Sequence, residues 1–348
     1  MITFYNHAHV LHQGRTEMFR GQMVPCFEVA ARVDHVLSEL VGRKLGAILR
    51  PQRCDTAVLE GVHDRAYLHF LQHAWQDWVA MDPANKDRDA LPSVWPNHGL
   101  RHDILPDNFA ARMGRYAFDA GSPLTSGTWA AALEGAHCAI SAAHAVVDGA
   151  GSAFALSRPP GHHAGRDFFG GYCFLNNAAL AAQTLRDRGL ERVAILDVDY
   201  HHGNGTQQIF YQRGDVVFAS IHGDPRTEYP FFLGHADETG AGPGAGCNFN
   251  LPLSRGTGFK VWRVALKHAL RQLLALGPQA LVVSLGLDTF EGDPISGFTL
   301  SSKDFLAVGE DLAGAGLPTV FVFEGGYAVA QLGVNAVNVL EGFLQRAP

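Results

Sequence analysis

The stretch Val193-Ala194-Ile195-Leu196-Asp197-Val198-Asp199-Tyr200-His201-His202-Gly203-Asn204 decides how this chain is read. Its first half is a run of strand length that is apolar on both sides of an extended chain, a pattern that suits a strand covered on both faces. Its second half crowds Asp197, Asp199, His201 and His202 into the strand's end. Alternation along an extended chain puts Asp197, Asp199 and His201 on one side, where carboxylate and imidazole can share a cation. The plainer alternative is a charged strand end that caps the next helix. Three such groups at the end of a buried strand are costly unless bound or paired, which weighs against it.

Working outward, runs of the same kind occur at residues 153–156, 216–221, 280–285 and 319–323. Helical spacing fills intervals between them, most clearly at 260–276 and 177–188, which Gly277-Pro278 and Gly189 terminate. Short, doubly apolar strands joined by helices predict an α/β fold with a mostly parallel central sheet flanked by helices and ligands at the strands' carboxyl ends. Upstream, 29–40, 64–81 and 128–147 read as helices. Residues 82–127 are rich in Asp, Asn, Pro and Gly and exceed an ordinary connection, so they form either an insertion with a purpose or a flexible lid. No linker-like composition separates the halves, so residues 1–348 read as one domain.

Of 348 residues, 47% are hydrophobic and 18% charged, which excludes a largely disordered chain. A net charge of −7 argues against a nucleic-acid partner and for a cationic one. The five cysteines (Cys26, Cys54, Cys138, Cys173, Cys247) include no Cys-x-x-Cys and read as thiols in a reducing compartment. The N-terminus lacks a basic and then apolar leader, and no apolar run reads as a membrane span, so the cytoplasm is expected.

Three more segments follow strand-like runs with chemistry-bearing residues. Arg158-Pro159-Pro160-Gly161-His162-His163 holds two histidines behind a Pro-Pro-Gly stop, either presented by a rigid loop or solvated on a turn. Gly286-Leu287-Asp288 places a carboxylate at a strand end, a ligand or an ordinary cap. Glu324-Gly325-Gly326-Tyr327 offers a close-approach backbone and a phenol, for donation or for packing.

In this order the four segments resemble the arginase/deacetylase superfamily, specifically the zinc-dependent histone deacetylase family and its bacterial acetylpolyamine amidohydrolases. The match runs from Ser157 to Tyr327 and extends less specifically to Arg15–Phe19 and Val24–Glu28. The resemblance implies one zinc ion on Asp199, His201 and Asp288. It implies His163 as general base, oriented by Asn204, with His162 beside it held by Asp197 and Tyr327 donating to the oxyanion. An Asn at 204 implies a less basic His163 than an Asp would give. The resemblance also suggests a structural potassium ion on carbonyls of Asp197, Asp199, His201 and Ile221 with the Ser220 hydroxyl. Tyr172 and Tyr229 match tunnel walls, and Phe27 and Asp119 join them as substrate-contact candidates. The superfamily's two-manganese branch needs further carboxylates where this chain has Gly203 and Phe290, so a dinuclear site is not expected.

The implied substrate is a small cationic acetylated amine. Residues 82–127 resemble the segment that builds a dimer and narrows the entrance in acetylpolyamine amidohydrolases, so a homodimer or higher homo-oligomer is expected. The family's acidic gate falls near Gly121, with Asp119 the closest acid and Asp103 and Asp107 as other candidates; Arg32, Trp75 and Trp95 are further candidates for the mouth. That departure favours short diamines such as acetylputrescine and acetylcadaverine. The alternatives are a protein or peptide acetyl-lysine deacetylase and a non-catalytic binding protein; the latter predicts a missing ligand or tyrosine, and neither is missing.

Overall fold

The computed structural model describes residues 1–55 and 57–347. Its strands are β1 (Ile2–Tyr5), β2 (Thr16–Phe19), β3 (Gln22–Pro25), β4 (Ile48–Leu49), β5 (Ser152–Leu156), β6 (Val193–Asp197), β7 (Val216–Gly223), β8 (Asn248–Leu253), β9 (Ala280–Leu285) and β10 (Thr319–Phe323). Its helices are α1 (Ala31–Gly42), α2 (Ala57–Glu60), α3 (Arg65–Met81), α4 (Phe109–Tyr116), α5 (Thr128–Val147), α6 (Asn177–Asp187), α7 (Asn204–Phe210), α8 (Phe259–Ala275), α9 (Asp304–Ala313) and α10 (Val329–Arg346). Eight strands form one parallel sheet in the order β4-β1-β5-β10-β9-β6-β7-β8, while β2 and β3 pair as a separate antiparallel hairpin.

Every residue of β5, β6, β9 and β10 is buried, and alternate side chains feed two apolar layers. Val320 and Val322 of β10 join Ala280 and Val282 of β9 in the layer under α3, α5 and α6. Phe321 and Phe323 join Leu281, Val283 and Leu285 in the layer under α1, α8, α9 and α10. Each such valine, leucine or phenylalanine contributes about 1.5–3 kcal/mol by leaving water, which is why these runs are apolar on both faces. Helix α5 has the length and hydropathy to cross a membrane, but two-thirds of that window is buried against the sheet and α6, so it is a core helix.

The four strands whose loops carry the chemistry, β5, β10, β9 and β6, are consecutive in the sheet, so their carboxyl ends open side by side. Residues 82–127 are built into the fold rather than hinged onto it. Ala90 and Leu124 bridge its two ends, and Phe109, Met113 and Tyr116 of α4 are buried in the layer around Phe70. The two ends of the segment are thus part of the core.

Candidate active site

Behind β5, the loop that presents His162 and His163 is fixed from below. Arg158 is buried and donates from Nε to Glu28 Oε1 at 2.7 Å, while the amides of Gly161 and His162 donate to Glu324 Oε2 at 2.6 and 3.1 Å. His162 Nδ1 lies 2.9 Å from Asp197 Oδ2, and His163 Nδ1 lies 2.6 Å from Asn204 Oδ1 at the start of α7. Burial, then the neighbouring His162 and His201, drive His163 well below the usual histidine range; the bond to Asn204 pulls the other way. A neutral imidazole is what a proton acceptor at pH 7 requires. Burial opposes charge on His162, but Asp199 and Asp197 override it and raise His162 to about 10. Gly171 makes room for this arrangement: a Cβ there would stand 2.2 Å from His163 Cδ2.

Strand β6 ends at Asp197, so its alternation does not continue through Asp199 and His201 as the sequence reading assumed; a turn carries them instead. That turn sends Asp197 to His162 and Asp199 to His201. His201 Nδ1 stands 2.9 Å from Asp288 Oδ2 and 3.4 Å from Asp199 Oδ1, and the three residues offer donor atoms within 4.8 Å of one another. Each carboxylate is also tied down: Tyr200 N donates to Asp288 Oδ1 at 2.7 Å, and Gly325 N to Asp199 Oδ2 at 2.9 Å. Burial, then the charge of Asp199, push Asp288 up to about 8, whereas His162 and His201 outweigh burial and draw Asp199 down. Two buried carboxylates around one imidazole fit a divalent cation of the zinc or iron(II) type and leave coordination positions open. His162, Cys173 and Glu324 also converge; Nδ1 is engaged by Asp197, Oε2 accepts from two amides and Sγ donates to Gly171 O at 3.3 Å, while Glu324 Oε1 has no hydrogen-bond partner among the described residues.

A cavity of about 390 Å³ leads to this cluster, with His163, His201 and Tyr327 among its lining. Tyr172 and Tyr229 wall it, as does Phe19 from the β2–β3 hairpin. Tyr172 holds a left-handed φ of 67°, kept there by Ser122 Oγ on its amide (2.7 Å) and Glu17 Oε1 on its hydroxyl (2.7 Å). The Tyr327 ring lies 5.4 Å from that of Tyr172, and the Arg32 guanidinium covers it at 4.9 Å.

Several placements differ from expectation. Phe27 stands behind Phe19 (rings 5.4 Å apart) and does not line the cavity. Asp119 does line it, yet its oxygens are engaged by Tyr229 OH (2.7 Å), Gly171 N (2.9 Å) and Gly121 N (3.1 Å), so it braces the wall. Asp103 pairs with Arg101 on the surface and Asp107 is exposed, both away from the lining. Trp75 and Trp95 are outside it too. Arg32 is fully buried behind the wall, donating to Gly326 O, Glu324 O and Glu28.

The Histone deacetylase domain model matches residues 26–343. The chain belongs to the histone deacetylase family. Among its relatives, Acetylpolyamine amidohydrolase 2 of Pseudomonas aeruginosa is 53% identical over 99% of this chain and 98% of its own length. Acetylpolyamine amidohydrolase of Mycoplana ramosa is 46% identical over 98% and 99%. The crystal structure of acetylpolyamine aminohydrolase from Burkholderia pseudomallei superposes with a TM-score of 0.95 at 39% identity, covering all of both chains.

In this histone deacetylase family member, two further acids, Glu17 and Glu228, line the cavity. Glu17 is buried, accepts from Tyr172 OH and Phe27 N, and is pushed by burial up to about 7. Its signal was the hairpin's alternation, which turns Glu17 and Phe19 to the side opposite Met18. Glu228, bonded by Arg255 Nη1 at 3.1 Å, joins the lining from the segment before Tyr229 and carries no periodic signal.

Proposed function

We propose that this family member is a zinc-dependent amidohydrolase that removes the acetyl group from acetylated polyamines, with short acetylated diamines such as acetylputrescine and acetylcadaverine as its substrates. The observation that carries the reading is the cavity: a tube walled by tyrosines, with Glu17, Asp119 and Glu228 in its sides and the His163–His201 cluster within it. Such a tube suits an extended alkyl chain with a cationic amine, and its acids attract one. The relatives' names point the same way.

A zinc ion held by Asp199, His201 and Asp288 would supply Lewis-acid polarisation of the acetyl carbonyl and acidify a water molecule. Neutral His163 takes the proton of the attacking water and returns it to the leaving amine as the C–N bond breaks. Tyr327 donates its hydroxyl proton in a hydrogen bond to the oxyanion that forms on the carbonyl oxygen. Asp197 and Asn204 hold the two imidazoles in orientation through their Nδ1 atoms.

A structural potassium ion on carbonyls of Asp197, Asp199, His201 and Ile221 with Ser220 belongs to the same reading; Asp197 and Ser220 are register partners at the ends of β6 and β7. A homodimer through residues 82–127 does too, supported by exposed Val94, Trp95, Leu100, Ile104 and Leu105.

The test is acetate release by the zinc-loaded enzyme from N-acetylputrescine, N-acetylcadaverine, N-acetylspermine and an acetyl-lysine peptide, side by side. Diamine turnover without peptide turnover is expected; equal or better peptide turnover replaces this reading with a protein deacetylase. Glu17 adds a pH signature. Its carboxyl loses its charge as pH falls through about 7, while a free diamine, with amines near pKa ~10.4, stays cationic. Inhibition by cadaverine is therefore expected to tighten from pH 6 to pH 8, and Glu17→Gln to flatten that dependence. An unchanged slope in the variant removes Glu17 from amine recognition.

A further inference from the structure

We propose that Asp293 is a positioning residue for Tyr327, holding the oxyanion donor in place from the loop that carries Asp288; this rests on the reading of Tyr327 given above. A hydroxyl that is to meet a developing oxyanion must be free of other partners, and among the described residues the Tyr327 hydroxyl has no hydrogen-bond partner. Its placement must come from the backbone and the ring faces. The backbone arrives through Gly325-Gly326, with Gly326 at φ 126°, a joint that imposes little direction of its own.

Asp293 supplies the direction. Its Oδ2 accepts the Tyr327 amide at 2.7 Å, and its Oδ1 accepts the Ile295 amide at 3.1 Å. A charged acceptor makes the stronger kind of bond to an amide. Leu287 N donates to Gly325 O at 2.9 Å, so the β9 and β10 loops are laced twice, on either side of Gly326. Asp288 sits in the same β9 loop, and Ile295 lines the cavity. The metal-ligand loop and the tyrosine loop therefore share one frame. Displacements of about 1 Å at a reacting centre can cost up to ~10²-fold in rate, so losing this tie has a measurable consequence.

The experiment is a double-mutant cycle on the zinc-loaded enzyme with the best acetylated amine. Asp293→Ala is expected to lower kcat roughly 10- to 100-fold with KM and zinc content little changed. Asp293→Asn, which keeps an oxygen acceptor, is expected to recover most of that loss. In a Tyr327→Phe background, with no hydroxyl left to position, either substitution at 293 is expected to cost almost nothing further. Losses that multiply in the Phe background, a fall in zinc content, or an effect confined to KM each overturn the proposal in favour of a local turn role. If Asp293→Ala does not fold, Asp293→Leu, which fills the same space but accepts no hydrogen bond, runs the cycle by the same criterion; a fully active variant without an acceptor at 293 overturns the proposal outright. Near-normal turnover in Tyr327→Phe alone would instead fail the reading of Tyr327, which separates the two.

Discussion

Tyr327→Phe is expected to retain zinc, fold and substrate affinity while losing about 10²-fold or more in kcat. The substitution removes one oxygen and nothing else. The ring keeps its packing on Tyr172 and under Arg32, and the backbone amide keeps Asp293. The hydroxyl makes no protein hydrogen bond among the described residues, so no buried partner is orphaned and the ground state is spared. Burial pushes the phenol well above its usual range, so it remains a donor throughout the working pH range. In the proposed role its benefit is confined to the moment when charge gathers on the carbonyl oxygen, and the loss is expected to fall on kcat rather than on KM. Turnover close to the parent's, measured by acetate release, would reject the role.

Asp288→Asn is expected to abolish stable zinc binding and, with it, activity. The amide oxygen still accepts from Tyr200, which preserves the turn, but the second negative charge beside His201 is gone. Burial and Asp199 already push the Asp288 carboxyl up to about 8, a sign that the two acids repel across a dry site until a cation joins them. The variant should thus melt no lower than the parent in a chelator, and added zinc should raise the parent's melting temperature alone. Metal analysis with thermal unfolding reads both; full occupancy in the variant would refute the ligand set.

The strands at the site were legible because each is a bounded, doubly apolar run. β6, β9 and β10 fall at the expected residues, and β7 runs two residues further because His222 and Gly223 still pair with β8. Edge and terminal strands were not. β4 has two residues, and β8 carries Asn248, Asn250 and Pro252, polarity and a proline that only an edge tolerates. α4 is hidden among turn-forming residues because its apolar face, Phe109 and Met113, is complete only against Phe70 and its neighbours. At the site, the residues of the four motifs converge because each motif follows one of four adjacent strands. Arg32, Asp293 and Glu228 act through partners far away in sequence, as Arg32 does with Gly326, so spacing holds no trace of them, and Glu17 leaves only the hairpin's alternation.

The sheet order has a consequence for synthesis. β5 has β1 on one side and β10 on the other, with Ser152 beside Thr319, and β9 separates β10 from β6. A nascent chain that has emitted only its first 270 residues owns β5 and β6 but not the two strands that lie between them. Local pieces such as the α5–β5–α6 layer can gather early, yet the centre of the sheet must stay open until residues 280–323 leave the ribosome. Asp288 and Tyr327 arrive with that closing material. A truncated or prematurely released product therefore has no partial activity to offer, and its uncovered strand edges make it a client for chaperones or proteases.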